Sequence, residues 1–304
     1  MDKRIVSVQS NAVEVFAPAK INLFLAVTGR RNDGFHDLCT VMSKINLGDH
    51  LNLSRTTSAS DVVLHCSGNL TLENNRNLAF LAAEKWLKYS GQSWGVKIDL
   101  DKTIPPRSGL GGGSSDAVSV LLGMNELSEK KLSREVLLGL ASELGSDCPA
   151  FLDAGPCLAQ GRGEQISLLG EVAREKLRKK RVFLFRPDIG LSTPEIFADF
   201  SRSNSFSDNS WANERVEAWQ SGSLNSEQFL HNDLESAVFE KHRYFIPLFE
   251  EITAKFGLVP RMSGSGSCCF ALLPENFNEM SELEERVRVA WGSGAWVKST
   301  ELFL

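Results

Sequence analysis

No C-x-x-C pair occurs among the six cysteines (Cys39, Cys66, Cys148, Cys157, Cys268 and Cys269), and no H-E-x-x-H among the five histidines. Zinc ribbons, thioredoxin-like redox motifs and zincin-type proteases are thereby excluded. Cys268 and Cys269 are adjacent, a poor arrangement for a disulfide, so the expectation is reduced, mostly buried thiols in a cytoplasmic protein without structural zinc. A basic excess is also missing. The formal net charge is -5, which argues against a dedicated nucleic-acid binder, since nothing would neutralise phosphates along a strand. An anionic small molecule held in a local pocket stays compatible with that balance. No uninterrupted apolar run is long enough to span a membrane, and the start "MDKRIVSVQSNAVEV" lacks the apolar core of a signal peptide. There is no internal repeat.

What the chain has is a core. With 304 residues, 42% of them hydrophobic, it is long for one compact domain, so one large domain or two lobes is expected. "AVEVFA" and "INLFLAVTG" read as two strands flanking Pro18-Ala19-Lys20, and "HLNLSR", "VVLHC" and "GVKIDLD" as further strands. "NLAFLAAEKWLKYS" places Leu78, Leu81, Ala82, Trp86 and Tyr89 on one helical face, with Gly91 as a stop. "SSDAVSVLLGMNEL" and "SREVLLGLASEL" are two more helices. Later, "RVFLFRP" and "CCFALL" read as strands, and "SEQFLHNDLESAVF", "IPLFEEITAKFG" and "NEMSELEERVRVAW" as helices. "SRSNSFSDNS" reads as a loop, and the basic run "REKLRKKR" as a solvated helix end before a strand. A lobe boundary is expected near "DAGPCLAQGRGE", dividing residues 1–155 from 156–304.

The most informative stretch is "PPRSGLGGGSSDAV", Pro105 to Val118. A dinucleotide fingerprint fails there, because from Gly109 and Gly111 the third glycine position is filled by Ser114. A Walker A loop fails because no Gly-Lys dipeptide occurs anywhere in the chain. What remains is a strand, a glycine-rich turn and a helix. Glycines let successive N–H groups turn toward a ligand without a Cβ in the way, and the helix start adds unpaired N–H groups and a positive dipole end. Phosphate binding is the physical reading; a turn that only caps a helix is the alternative. Ser114 or Ser115 could cap the helix, bind a phosphate oxygen or ligate Mg²⁺.

Two further stretches, "APAKINLFLAVTGRRNDGFH" and "RMSGSGSCCFALL", flank the loop in a fixed order. With "LGSDCPAF" and "STPEIF" the set resembles the signature of the GHMP small-molecule kinases, over nearly the whole chain. Within them it is most similar to the branch acting on a cytidine-diphospho sugar alcohol in non-mevalonate isoprenoid synthesis. The resemblance implies a two-lobe α+β fold, ATP in the N-terminal lobe and an active site in the cleft between lobes. It implies Mg²⁺-dependent transfer of phosphate from ATP to the 2-hydroxyl of 4-diphosphocytidyl-2-C-methyl-D-erythritol, by a cytoplasmic monomer or homodimer that needs neither nucleic acid nor membrane. Other members of the superfamily, acting on homoserine, mevalonate or a sugar, and a non-catalytic nucleotide-binding relative are the rival readings.

Carried over by position, Lys20 and Asp147 are the catalytic pair that the resemblance implies. Pro105, Pro106, Arg107, Ser108, Gly109, Leu110, Gly111, Gly112, Gly113, Ser114 and Ser115 form the ATP phosphate loop, with Ser115 the candidate metal contact. Asn77 and Lys102 fall at the adenosine end. Asn22, Phe35 and His36 match substrate positions near the cytosine, and Thr193, Pro194 and Phe197 line the same side. Each has a plainer reading. Asp147 precedes Cys148-Pro149 and would serve as a helix N-cap; as a general base it would take the proton of an alcohol during phosphoryl transfer. Lys20 would be a surface lysine on a strand, or the cation that keeps Asp147 ionised and stabilises charge on the phosphoryl group. Phe35 stands where tyrosine is more usual, Arg107-Ser108 where Gly-Gly is, and Asp116 where asparagine is. Ser263 to Ser267 is expected to pack toward the first glycine loop.

Overall fold

The computed structural model describes residues 2–303 apart from residues 59, 60, 68, 69, 179 and 204. The chain forms two compact units, each drawn from separate stretches. The first comprises Met1–Ala19, Leu47–Pro105 and Gly111–Ala154; the second comprises Lys20–Asn46, Pro106–Leu110 and Gly155–Leu304.

Into the first unit fall β1 (Ile5–Val8), the start of β2 (Ala12–Arg30), the end of β3 (His36–Thr56), β4 (Val62–Ser67), α1 (Leu78–Ser90), β5 (Gly95–Asp101), α2 (Gly112–Leu127) and α3 (Arg134–Leu144). The strand order is β1-β2-β3-β5-β4. β3 and β5 pair antiparallel, while β4 and β5, joined through α1, run parallel. Alternation decides which face is apolar. Leu51 and Leu53 lie opposite Leu100 and Ile98, and all four are buried against α1 and α2. Asn77 caps α1 through its side chain, and Gly91 ends the helix in the left-handed region.

The second unit holds the remainder of β2 and β3, then β6 (Cys157–Gly161), β7 (Gln165–Leu168), α4 (Glu171–Leu177), β8 (Arg181–Arg186), α5 (Thr193–Ser203), α6 (Asn209–Ser221), α7 (Ser226–Phe229), β9 (His231–Asn232), α8 (Leu234–Lys241), α9 (Phe245–Phe256), β10 (Arg261–Met262), β11 (Cys269–Leu273), α10 (Met280–Trp291) and β12 (Trp296–Glu301). A sheet of order β10-β11-β8-β12 forms here, and β6 and β9 add to β3 and β2. Phe183 and Phe185 of β8 are fully buried in a core shared with residues of α5, α8, α9 and α10.

Several elements differ from expectation. β2 is one strand of 19 residues and runs through Pro18 without a break. Proline supplies no N–H to a ladder, but here the neighbouring backbone finds partners elsewhere: Ser115 Oγ donates to the Pro18 carbonyl, and the Lys20 N–H donates to the Leu110 carbonyl. The expected helix through "SEQFLHNDLESAVF" is interrupted, because His231 and Asn232 pair in parallel with Phe24 and Leu25 of β2. Tyr89 is 59% exposed, since the buried face of α1 is centred on Ala79, Ala82, Ala83 and Trp86, with Tyr89 on its flank. The "SRSNSFSDNS" loop is shorter than expected: Ser201–Ser203 close α5, and Asn209 opens α6 under an Asp208 cap. Within the basic run Arg174 and Arg178 are solvated as expected, in exposed ion pairs to Glu171 and Glu175, whereas Lys176 donates to the Trp219 carbonyl and Arg181 to the Phe277 carbonyl; Lys179 lies outside the described residues. All six cysteines are buried and none forms a disulfide.

Candidate active site

In the first unit the end of the glycine loop, from Gly111, runs into α2. Gly111 takes a left-handed conformation (φ 71°) immediately before the helix, so the N–H groups of its first turn begin at Gly112. Ser115 is buried, with its hydroxyl donating to the Pro18 carbonyl at 2.7 Å. Beneath that turn lies a charged cluster that local sequence patterns did not reveal. Lys102 Nζ donates to Asp49 Oδ2 at 2.5 Å and to Asp116 Oδ2 at 2.6 Å. Asp49 Oδ1 in turn accepts from the Thr103 and Ile104 N–H groups at 2.6 and 2.8 Å. A fully buried aspartate thus fixes both the lysine and the backbone that enters the loop. Burial pushes the Asp116 carboxyl up to about 8, against the pull of Lys102 and with the push of Asp49. Burial also works to lower Lys102, but the two carboxylates outweigh it and hold the ammonium above its ordinary range.

Asn77, expected at the adenosine end, spends its carboxamide on structure: Oδ1 accepts the Ala79 N–H and Nδ2 donates to the Leu72 carbonyl. Asp147 sits at the start of the 3-10 turn Cys148–Phe151 without capping it by its side chain. The capping alternative therefore lacks the hydrogen bond it requires. A separate cavity of about 680 Å³ opens on this unit, lined by His50, His65, Glu73, Asp99 and Asp101 among others, and none of the expected ATP-site residues lines it.

In the second unit Lys20 and Asn22, two positions apart on β2, share a face. Lys20 is 4% exposed, which contradicts the surface-lysine reading. Its Nζ donates to Asn22 Oδ1 at 2.6 Å, and Asn22 Nδ2 donates to Thr40 Oγ1 at 2.8 Å. The second glycine loop meets the first here, as expected. A Cβ on Gly109 would lie 2.0 Å from the Ser263 carbonyl oxygen, and a Cβ on Gly264 3.1 Å from Lys20 Nζ. Ser263 Oγ donates to the Gly109 carbonyl at 3.1 Å, and the Cys268 N–H to the Ser108 carbonyl at 3.0 Å. Arg107 is exposed and takes a positive φ of 51°.

Of the residues expected beside the cytosine, Asn22 is engaged by Lys20 and Thr40, and the others make three contacts. His36 is stacked on Phe197 with ring centroids 5.0 Å apart, and its Nε2 lies 2.6 Å from Ser201 Oγ. Burial, reinforced by Arg30, lowers its basicity, so the neutral imidazole is favoured. Phe35 is 49% exposed, with the Arg162 guanidinium 5.1 Å over its ring. Thr193 Oγ1 lies 2.7 Å from Ser265 Oγ, tying the start of α5 to the second glycine loop, and Pro194 next to it is exposed. Among the described residues no group of three or more His, Cys, Asp or Glu side chains is placed to hold a metal ion.

This arrangement has counterparts among known proteins. The GHMP kinases N terminal domain model matches residues 77–159, and the GHMP kinases C terminal model residues 215–291. A 4-diphosphocytidyl-2-C-methyl-D-erythritol kinase of Methylacidiphilum infernorum is 35% identical over 299 residues, covering 96% of this chain and 98% of that one. A crystal structure of 4-(cytidine 5′-diphospho)-2C-methyl-D-erythritol kinase superposes with a TM-score of 0.71 at 34% identity, covering 95% of this chain and 99% of that one. A homoserine kinase from Cytophaga hutchinsonii shares the fold, with a TM-score of 0.72 at 17% identity over 97% of this chain and 96% of its own. Two linked glycine loops, a buried Lys20–Asn22 pair and this full-length likeness lead to one assignment: the chain belongs to the GHMP kinases, in the family of the 4-diphosphocytidyl-2-C-methyl-D-erythritol kinases.

Proposed function

We infer that the chain transfers the γ-phosphoryl group of ATP to the 2-hydroxyl of 4-diphosphocytidyl-2-C-methyl-D-erythritol, a step in non-mevalonate isoprenoid precursor synthesis. The observation that carries this reading is the likeness to kinases of that name along the whole chain, at 35% identity over 96% of its length. The local chemistry agrees with it. Phosphoryl transfer asks the protein for positioning and charge stabilisation more than for covalent chemistry. The α2 N-terminus behind Gly111–Gly113 offers N–H groups and a positive dipole end to the ATP phosphates. Mg²⁺ enters with ATP, and Ser115 is its proposed protein contact.

Two side chains carry the reaction in this proposal. Asp147 accepts the proton of the 2-hydroxyl as the phosphoryl group arrives, because an alcohol is a weak nucleophile until it is deprotonated. Lys20, held by Asn22, supplies positive charge to the transferring group. For the cytosine end we assign Phe35 as the stacking face, with neutral His36 and Phe197 beside it. Asn77 and Lys102 are kept at the adenosine end, Lys102 through the floor it forms under the loop. In the same proposal residues 1–155 form the ATP-binding lobe and residues 156–304 the second lobe, except that Lys20–Asn46 and Pro106–Leu110 pack with the second unit, and the enzyme works as a monomer or homodimer. The six unbridged thiols favour the reducing cytoplasm.

The test is ADP release by the purified protein with Mg-ATP and, separately, the cytidine substrate, mevalonate or homoserine. Turnover with the cytidine substrate alone, abolished in Asp147→Asn, is expected. Turnover with another alcohol overturns the substrate, and silence with all three despite ATP binding overturns the activity.

A further inference from the structure

We propose that Asn232 is the positioning residue that holds Lys20 in its working place. The proposal rests on the kinase reading above, and it starts from a carboxamide whose every group is engaged. Asn232 is 4% exposed and lies in β9, where the chain pairs with Leu25 of β2. Its Nδ2 donates to the Met262 carbonyl at 2.7 Å and to the Gly264 carbonyl at 2.8 Å, while Oδ1 accepts the Leu234 N–H at 3.0 Å. One side chain therefore grips the end of β10 at Met262 and the second glycine loop at Gly264, and ties both to the strand that carries Lys20. Glu235 adds a third hold, its Oε1 accepting the Met262 N–H at 2.7 Å.

The gripped segment is the one that confines Lys20. Gly264 has φ 56°, and a Cβ built on it would stand 3.1 Å from Lys20 Nζ and 3.3 Å from Asn22 Oδ1. Ser263, one residue earlier, accepts the Asn22 N–H on its hydroxyl at 3.4 Å and donates to the Gly109 carbonyl at 3.1 Å. The backbone at 263–264 thus forms a wall against the Lys20–Asn22 pair, and Asn232 braces that wall from behind. A buried carboxamide with two donors satisfied by two carbonyls is hard to replace: aspartate keeps the acceptor for Leu234 but turns carboxylate oxygen toward the Met262 and Gly264 carbonyls. The wall would then retreat, and a displacement of about 1 Å at a reacting group costs roughly 100-fold in rate.

Asn232→Asp is the variant of choice, because it preserves size and the acceptor for the Leu234 N–H. Its kcat is expected to fall about 100-fold, while KM for ATP stays within about twofold. In a Lys20→Met background the same substitution should cost less than about twofold, since it acts through that lysine. Gly264→Ala, which crowds Lys20 Nζ and the Gly109 carbonyl and strains a left-handed backbone, should lose kcat as well. Amide exchange gives a readout that needs no turnover: peptides covering residues 20–24 and 263–268 should exchange severalfold faster in Asn232→Asp, with α1 and α2 unchanged. Equal losses with and without Lys20, or faster exchange confined to 231–241, would overturn the proposal. A wild-type protein inert toward the cytidine substrate would sink the kinase reading instead, and the exchange experiment would still decide this one.

Discussion

Gly109 and Ser263, 154 residues apart, approach until a Cβ on the glycine would stand 2.0 Å from the serine carbonyl oxygen. Gly109 also has φ 74°, so alanine there meets two penalties: the left-handed backbone and a collision with main chain that cannot rotate away. Gly109→Ala is expected to lose about 2 kcal/mol of stability or more and most of its activity. Gly139, in the middle of α3 with open space where a Cβ would stand, is the control. Gly139→Ala should be neutral or stabilising by up to about 1 kcal/mol. Chemical denaturation of the two variants beside wild type checks both signs, and equal effects would refute the contact argument.

Lys20 offers a test of geometry against charge. Its Nζ is 2.6 Å from Asn22 Oδ1, and the Gly264 wall leaves little room beyond it. A guanidinium is larger and planar, and it demands a forked partner. Lys20→Arg should therefore be about as inactive as Lys20→Met, each losing roughly 100-fold or more in kcat, and the arginine variant should also be less stable by about 1–3 kcal/mol from overpacking. An arginine variant that retains most of the wild-type kcat would mean that positive charge near β2 is all the site requires.

How far these relationships could be read beforehand depends on the sequence distance between partners. Asn77 before α1 and Gly91 after it are local signals, and α1 ends where those residues say; α2 begins two residues before the expected Ser114, at Gly112 inside the glycine run. Asp49 was silent because its partner Lys102 lies 53 residues away, and a single aspartate after a glycine carries no periodic signature. Asn232 was hidden differently: "SEQFLHNDLESAVF" has a helical pattern throughout, and only pairing with β2 breaks it. Pro18 misled in the opposite sense. It looked like a strand boundary, but Ser115 and Leu110 satisfy the backbone around it, so the strand continues. The glycine loops were legible as a family pattern; that Gly109 and Ser263 touch became visible only in three dimensions.

Phe35 supports a prediction on specificity. Its ring is half exposed, with the Arg162 guanidinium 5.1 Å over it, so aromatic surface remains for a base to stack on. Stacking of a base on an aromatic face is worth about 1–3 kcal/mol. Phe35→Ala should raise KM for the cytidine substrate by about tenfold to 100-fold while leaving KM for ATP unchanged. Phe35→Tyr should bind the substrate at least as well as wild type. Arg162→Gln should cost about two- to fivefold, the scale of an exposed cation–π contact. Steady-state kinetics in both substrates checks the set, and a rise in KM for ATP alone would place Phe35 at the wrong end of the reaction.

The Asp49–Lys102–Asp116 cluster makes stability depend on pH in a direction that can be worked out. Two carboxyls share one ammonium, and burial raises Asp116 from the ordinary 3.8 to about 8. Between those values the folded protein holds a proton that the unfolded chain has released, so the folded state binds more protons and stability falls as pH rises. The contribution is fully favourable below the ordinary carboxylate range and is lost as pH climbs toward 8. Asp116→Asn keeps the shape and the acceptor for Lys102 but removes the titration. Measured by denaturant unfolding, the variant should gain on wild type steadily from pH 5 to pH 8, so that the stability difference grows more favourable to asparagine. A difference that stays flat over that span would show Asp116 ionised throughout, with Lys102 balancing both carboxylates. The cluster would then be a fixed electrostatic floor under the phosphate loop, and Asp116→Asn would alter KM for ATP equally at every pH.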